Sequence, residues 1–346
     1  MIDLGNFQSK QLCKSLNRTG NTTQAMIHFV SVLIPCLNEE KTVRSLVERL
    51  SNTLEGLPDI RWEAIFVDDG SIDETGTIID QLSFEFPWVK AYHHSTTKGK
   101  SAAIMSGFYR SKGDVIILLD ADLQFFPEDI PKILSEMSQK GLDIVNGWRK
   151  ERKDPFSRKA ASRLFNSFAS TLFGLRVHDY NCGIKGLKRE VLESFRLRKG
   201  YHRYILALAK HRGYRIGEVV VQHAPRPFGK SRYRTSRLFT GFVDLMALKL
   251  QFMFLERPMS LFGVLGAIIF LFGLISGGYL LWLWFLEGGI GDRPLLFLTV
   301  LLLIAGIQFF SFGFLADAIV SLKADVDYLN QLVIQEKEKN TEDKKD

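Results

Sequence analysis

The chain has 346 residues, with 45 Lys or Arg against 38 Asp or Glu, for a formal net charge of +7. That length fits one large domain or two ordinary ones, and so modest a charge does not mark a nucleic-acid binder. Three widely spaced cysteines, Cys13, Cys36 and Cys182, exclude a disulfide framework or zinc spacing and point to a reducing location.

Residues 1–25 are polar without periodicity or a continuous apolar run. They are expected to be a disordered extension rather than a secretory signal, and Met26 is an alternative start. A strand is predicted at 29–34, ended by Pro35. Asn38-Glu39-Glu40 then opens a helix to about Leu54, with Val43, Leu46, Val47 and Leu50 on one face. Further strands are predicted at 62–67, 88–92, 115–119 and 143–146. Helices are predicted at 73–84, at 99–111 and from Pro127, which suits a first helical turn. This alternation specifies an α/β fold with a mostly parallel sheet and helices on both faces.

Residues 149–163 hold seven Lys or Arg. A helix to about Phe173, a strand at 183–187, a helix at 201–212 and a strand at 214–222 follow. Residues 226–237 then carry five basic residues and no acid. Residues 236–257 are mostly apolar, with Arg237, Asp244 and Gln251 at heptad spacing. Such a helix suits the plane of a membrane interface, the alternative being a buried helix of the soluble domain.

Residues 261–286 and 295–316 contain no charge over 26 and 22 residues. At about 1.5 Å per residue, each exceeds the roughly 30 Å of a bilayer core, so two transmembrane helices are predicted. Trp282 and Trp284 suit an interfacial belt. The linker between the spans has Arg293 as its only basic residue, which places it outside and both chain ends in the cytoplasm. Ile319, Leu322, Val326, Leu329 and Val333 continue the second span as an amphipathic helix, and the charged tail from Gln335 is expected to fray.

The chemistry centres on VIILLDADLQ at 115–124. Residues two apart on an extended backbone point the same way. Asp120 and Asp122 are therefore expected to face one cation, provided that the backbone stays extended through Ala121. Hard oxygen ligands suit Mg²⁺ or Mn²⁺; the alternative is a solvated polar loop. Parallel topology brings the loops at 35–39, 68–73, 96–100 and 120–124 to one carboxyl edge, where α/β sheets bind ligands. Asp68 and Asp69 could accept from a base or ribose, while Ser71 or Asp73 caps the next helix. Lys98 and Lys100, near a helix start, suit phosphate as well as solvent. Cys182 reads as a small buried residue rather than a nucleophile.

Taken together, PCLNEE (35–40), VDDGSIDET (67–75), DADLQ (120–124), GWRKERKDP (147–155), HDYNCGIKG (178–186), HR (202–203) and RPFGKSRY (226–233) resemble the family 2 glycosyltransferases. The resemblance covers about residues 28–260. It is to the branch of dolichyl-phosphate mannose synthase and the bacterial polyprenyl-phosphate glycosyltransferases. It implies a GT-A type sheet domain at 26–235, followed by the interfacial helix at 236–257. Two spans within 258–317 and a cytosolic amphipathic tail at 318–346 complete the chain.

By that resemblance, Pro35, Leu37, Glu39, Asp68, Asp69, Lys100, Ala121 and Arg149 bind a UDP- or GDP-linked sugar. Asp120, Asp122 and Gln124 hold the divalent cation and, with Asp179, form the catalytic set. Arg149, His202, Arg203, Arg226, Lys230 and Arg232 bind phosphate of donor or acceptor. Thr97 stands where the family has Asn. Arg232 replaces a Lys, keeping the charge and adding a fork that suits phosphate.

The implied reaction is an inverting, metal-dependent transfer of a sugar to polyprenyl phosphate at the cytosolic face of a bacterial inner membrane. A homo-oligomer is left open. The basic runs suit phosphate, and equally anionic headgroups at about 1 kcal/mol per residue. One alternative is a processive polysaccharide synthase, whose Gln-x-x-Arg-Trp motif is absent. The other is a non-catalytic scaffold, which would be expected to lose the DAD carboxylates.

Overall fold

The computed structural model describes residues 27–150, 156–175, 177–225, 236–256, 258–287 and 294–342. The expected disorder of 1–25, Arg226, Lys230, Arg232 and the linker at 288–293 lie outside the described residues. The chain divides into two compact units, one ending at Phe239 and one beginning at Thr240.

The first unit is built on one sheet. Its strands are β1 (Phe29–Cys36), β2 (Arg61–Asp68), β3 (Val89–His93), β4 (Val115–Leu118), β5 (Ile144–Trp148), β6 (Lys185–Lys188) and β7 (Ile216–Val220). They lie in the order β3-β2-β1-β4-β6-β5-β7. All pairings are parallel except those of β6, which runs antiparallel to β4 and β5. The helices are α1 (Val43–Glu55), α2 (Thr75–Glu85), α3 (Lys100–Phe108), α4 (Ile130–Lys140), α5 (Phe156–Phe173), α6 (Arg189–Glu193) and α7 (Ile205–His211).

Central strands of a parallel sheet are covered on both faces and so read as continuous apolar runs. Val30, Val32 and Ile34 of β1 join a core cluster with Val43, Leu46 and Leu50 of α1. Leu33, on the opposite face, is also buried. There Gly107 of α3 lies so close that a Cβ would touch side chains of Val67, Leu33 and Ile65.

The antiparallel β6 is what the alternation pattern does not foresee, and it positions the site. A parallel strand starts at the edge where its neighbours start. An antiparallel strand starts at their carboxyl edge. Lys185, the first residue of β6, therefore pairs with Leu118, the last of β4, and residues 181–184 arrive beside Asp120.

In the second unit, α8 (Ser236–Glu256) crosses the unit boundary in sequence and is followed by α9 (Pro258–Glu287) and α10 (Pro294–Glu342). On α8, Leu245, Leu248 and Phe252 are buried, whereas Val243, Met246, Leu250, Met253 and Phe254 are exposed. In α9 and α10, 258–286 and 294–322 are long and apolar enough to cross a membrane, and most of that surface faces outward. The two helices meet along a seam of small residues. A Cβ on Gly266 would lie 2.7 Å from Phe310 N, and one on Gly306 2.7 Å from Phe270 N. Across the seam, the Thr299 hydroxyl donates to Ser276 Oγ (2.9 Å). The helix of the second span continues to Glu342, beyond the fraying expected from Gln335.

Candidate active site

The loops after β1 and β2 are joined by their own side chains. Ser71 Oγ accepts from Asn38 N (2.9 Å), Thr75 Oγ1 accepts from Glu39 N (2.8 Å), and Asn38 Oδ1 accepts from Ile72 N (2.9 Å). Asn38 adopts φ +57°, a left-handed conformation in which Asn is enriched. For that reason α1 begins at Val43 rather than at Asn38. Asp73 accepts from Thr75 N (3.1 Å), the first residue of α2, but the N-cap position is Glu74 and no side chain caps the helix there; Ser71 serves the neighbouring loop.

Asp69 is 3% exposed. It accepts from Lys98 N (2.9 Å) and Gly99 N (2.7 Å) and lies 2.7 Å from His94 Nδ1. His94 Nε2 in turn meets Ser106 Oγ at 2.9 Å. Asp68 accepts from Ser71 N (2.9 Å) and lies 3.2 Å from His93 Nδ1. Burial disfavours charge on His93, but Asp80 and Asp68 outweigh it and raise its pKa above the usual value. Gly70, at φ +75°, allows the 68–73 loop to touch Thr96, where a Cβ would stand 2.8 Å from the backbone. Three of the four expected loops thus form one clasp, and much of the acceptor capacity of Asp68 and Asp69 is spent within it.

The DAD stretch departs from expectation in its backbone. β4 ends at Leu118, the chain turns at Ala121 and Asp122, and Leu123 adopts φ +56°. Asp120 and Asp122 are therefore placed by a turn, not by strand alternation. Asp122 accepts from Gln124 N (3.2 Å), a local bond that shapes the turn. Gln124 Nε2 donates to Ala224 O (3.4 Å). Asp120 forms an ion pair with Lys100. Gly183 makes room for it, since a Cβ there would lie 2.6 Å from Asp120 Oδ2 and 2.5 Å from Phe125.

Beside Asp120 lies a cavity of about 190 Å³. It is lined by Pro35, Lys100, Ile104, Leu118, Leu119, Asn181, Cys182, Gly183, Lys185, His202 and Arg203. Of the expected site residues it gathers Pro35, Lys100, Asp120, His202 and Arg203; the remainder lie elsewhere or outside the described residues. Sequence reasoning missed Lys185 and Asn181. Lys185 is 4% exposed and donates to the Cys182 carbonyl. Ser101 Oγ accepts from His202 N (3.1 Å) and lies 3.0 Å from its Nδ1. Burial, reinforced by Lys100, Arg203 and Lys185, pushes the His202 imidazole down to about 3, so it is neutral at pH 7. Burial pushes the Cys182 thiol up to about 12, which fits a packing residue rather than a nucleophile.

Arg149 and Asp179 are brought together, but by each other. Arg149 Nε and Nη2 donate to Asp179 Oδ2 (2.6 Å) and Oδ1 (2.9 Å) in a buried bidentate pair. The expected phosphate-binding Arg and catalytic Asp thus neutralise one another in this structure, and neither lines the cavity. His178 stacks on Trp148 with centroids 4.0 Å apart and contacts Glu218. Asn146 Nδ2 donates to Asp179 O (2.7 Å), so the 178–184 segment is fastened to β5 and β7.

Among the described residues, no group of three or more His, Cys, Asp or Glu gathers into a metal cage. Two carboxylates in a turn are nonetheless a set that Mg²⁺ or Mn²⁺ uses, because substrate phosphates complete the shell. The Lys100 ammonium on Asp120 fits that reading, since it already matches the carboxylate with a cation.

The profile of glycosyl transferase family 2 matches residues 31–196. The chain is 35% identical to dodecaprenyl-phosphate galacturonate synthase of Rhizobium johnstonii, over 84% of this chain and 87% of that protein. It is 30% identical to undecaprenyl-phosphate 4-deoxy-4-formamido-L-arabinose transferase of Proteus mirabilis, over 94% of this chain and all of that protein. In fold it is similar to glucosyl-3-phosphoglycerate synthase of Mycobacterium tuberculosis, with a TM-score of 0.51 at 20% identity over 66% of this chain and 81% of that one. A carboxylate turn at the edge of a mostly parallel sheet, two apolar helices after it and these relatives lead to one conclusion: the chain is a glycosyltransferase of family 2, among the bacterial polyprenyl-phosphate glycosyltransferases.

Proposed function

We propose that the protein transfers one sugar, with inversion, from a nucleotide donor to polyprenyl phosphate at the cytosolic face of a bacterial inner membrane. The observation that carries this reading is the cation-lined cavity bordered by Asp120. Asp120 and Asp122 would hold a divalent cation with the donor diphosphate, and the cation would act as a Lewis acid on the leaving group. Mn²⁺ and UDP occur together in a complex of the mycobacterial structural neighbour, which makes UDP-sugars with Mn²⁺ the first donors to test.

Lys100 adds positive charge where the diphosphate leaves. The acceptor phosphate is anionic near pH 7, with a second pKa of about 6, so it attacks without a general base. That suits a cavity whose imidazole is neutral and whose neighbouring Asp179 is tied to Arg149. Asp179 is then a positioning residue for Arg149. The clasp, with Asp68 and Asp69, shapes the nucleoside side. Leu37, Glu39, Ala121 and Gln124 support the loops and the turn. Arg226, Lys230 and Arg232, which precede α8 in sequence, meet the lipid phosphate, and the exposed apolar stripe of α8 lies in the interface. Both ends of the chain are cytoplasmic by the positive-inside rule.

The test incubates purified protein and polyprenyl phosphate with a panel of UDP- and GDP-sugars, and detects the product by mass. A polyprenyl-phosphate sugar is expected with Mn²⁺ or Mg²⁺ and not with a chelator. Transfer that survives complete chelation would overturn the metal role. Absence of lipid product with every donor would overturn the acceptor.

A further inference from the structure

We propose that Ser101 is a positioning residue that holds His202 in its Nε2–H tautomer, so that Nε2 donates a hydrogen bond to an oxygen of the nucleotide sugar. The choice of ligand rests on the reading that the nucleotide sugar binds at the Asp120 edge.

Ser101 is 2% exposed and stands in the first turn of α3, next to Lys100. His202 lies 101 positions away in sequence. It is carried by a short 3₁₀ turn, Tyr201–Tyr204, that packs against α3. The two residues meet through one oxygen. Ser101 Oγ accepts from His202 N (3.1 Å) and lies 3.0 Å from its Nδ1. Backbone and ring of His202 are thus held together, which fixes the direction of the imidazole at the wall of the cavity that it lines.

The tautomer follows from the hydrogen bonds. A serine hydroxyl has one hydrogen to donate and two lone pairs with which to accept. One lone pair of Ser101 takes the His202 N–H. Among the described residues, His202 Nδ1 is the only other partner of that oxygen. Were Nδ1 protonated, the buried hydroxyl hydrogen would lack an acceptor, and a bare Nδ1 avoids that penalty. The ring is also neutral, because burial, and after it Lys100, Arg203 and Lys185, disfavours the imidazolium. Its single proton therefore sits on Nε2. Among the described residues Nε2 bonds to no protein group. An N–H donor is left at the cavity wall for a ligand oxygen, and both a sugar hydroxyl and a phosphate oxygen can accept from it.

The experiment reads the ring directly, by nitrogen NMR of the full-length protein in detergent with labelled histidine. The His202 signals are identified by their loss in His202→Gln. The wild type should show a bare Nδ1 and a protonated Nε2. Ser101→Ala should spread the proton over both nitrogens, and Ser101→Thr, which keeps the hydroxyl, should keep the wild-type pattern. Mg²⁺ with UDP, and then Mg²⁺ with UDP-glucose, are added next. The Nε2–H signal should shift with UDP if the oxygen belongs to a phosphate, and with UDP-glucose alone if it belongs to the sugar. In turnover with the best donor of the panel, Ser101→Ala should lower kcat/KM about tenfold, the scale of one lost hydrogen bond. His202→Gln, whose amide nitrogen replaces Nε2, should lose less than His202→Asn, whose amide nitrogen replaces Nδ1.

A protonated Nδ1 in the wild type would overturn the proposal. So would the wild-type tautomer persisting in Ser101→Ala, or equal losses in His202→Gln and His202→Asn. An Nε2–H signal that stays in place while calorimetry shows both nucleotides bound would overturn it as well. If neither nucleotide binds, the donor reading fails, and the tautomer in the free protein still decides the role of Ser101. If the signal shifts but no lipid product forms with any donor, this proposal stands and the acceptor assignment fails.

Discussion

Two regions share the carboxyl edge of the sheet and handle charge in opposite ways. After β1, β2 and β3, the polar side chains satisfy one another. Asp69 accepts from two backbone amides and His94, and Ser71, Thr75 and Asn38 bond to facing amides. At the ends of β4 and β6, cations gather around one carboxylate, and Lys185 is buried on a carbonyl rather than on an acid. A carboxylate motif is therefore no guide to its task until its partners are known. In the clasp the acids build loops, and at the cavity the protein leaves charge for something else to match.

Four substitutions and one titration can break this contrast. Asp122→Ala should have the largest effect, lowering kcat on the order of 10²- to 10³-fold, in the range of other lost electrostatic contributions. Full activity with intact membrane insertion would sink the metal assignment. Gly183→Ala drives a Cβ into Asp120; a displaced carboxylate should cost about 10²-fold in turnover, with weaker Mn²⁺ binding. Unchanged Mn²⁺ affinity would show that Asp120 does not need that space.

Asp69→Ala should act on stability instead. It removes the acceptor from two part-buried backbone N–H groups, at about 1 kcal/mol each. A large drop in melting temperature in detergent is expected, and an unchanged melt with lost nucleotide binding would move Asp69 out of the clasp. Ser71→Ala removes one such bond and should cost about 1 kcal/mol, read from the same melt.

The smallest effect is a pH slope. His202 is held neutral, with its folded pKa near 3 against an ordinary value of 6.5. The unfolded chain therefore binds the proton first. The stability that His202 contributes is full above the ordinary value and falls as pH drops toward 3. Melting of His202→Gln should show a shallower loss over that window, and an identical slope would mean that His202 charges without penalty in the folded protein.

Much of this architecture is legible in the amino-acid sequence. Continuous apolar runs mark the strands, because buried parallel strands need no alternation. Charge-free stretches mark the two long helices, and the order of the motifs marks the family. What the sequence hides is what depends on pairing between distant residues. Lys185 looks like an ordinary lysine in a short strand until the Leu118 register puts it behind Asp120. Arg149 and Asp179 sit 30 positions apart, and nothing local says that they neutralise each other. Strand alternation does not place the DAD carboxylates, since the backbone turns at Ala121 and Leu123 is left-handed. Neither capping candidate caps its helix: Asp73 bonds to the first residue of α2, and Ser71 bonds across to a loop 33 positions away.

The glycine seam between α9 and α10 bears on what could pass between them. Where Gly266 and Gly306 bring the two helix backbones to contact distance, no lumen exists between α9 and α10. Bonding between Thr299 and Ser276 closes the same line with an interhelical hydrogen bond. A growing polysaccharide could not be extruded between these helices. The hairpin is packed as a solid post, and on the proposed function a glycolipid made beside it would not pass through it.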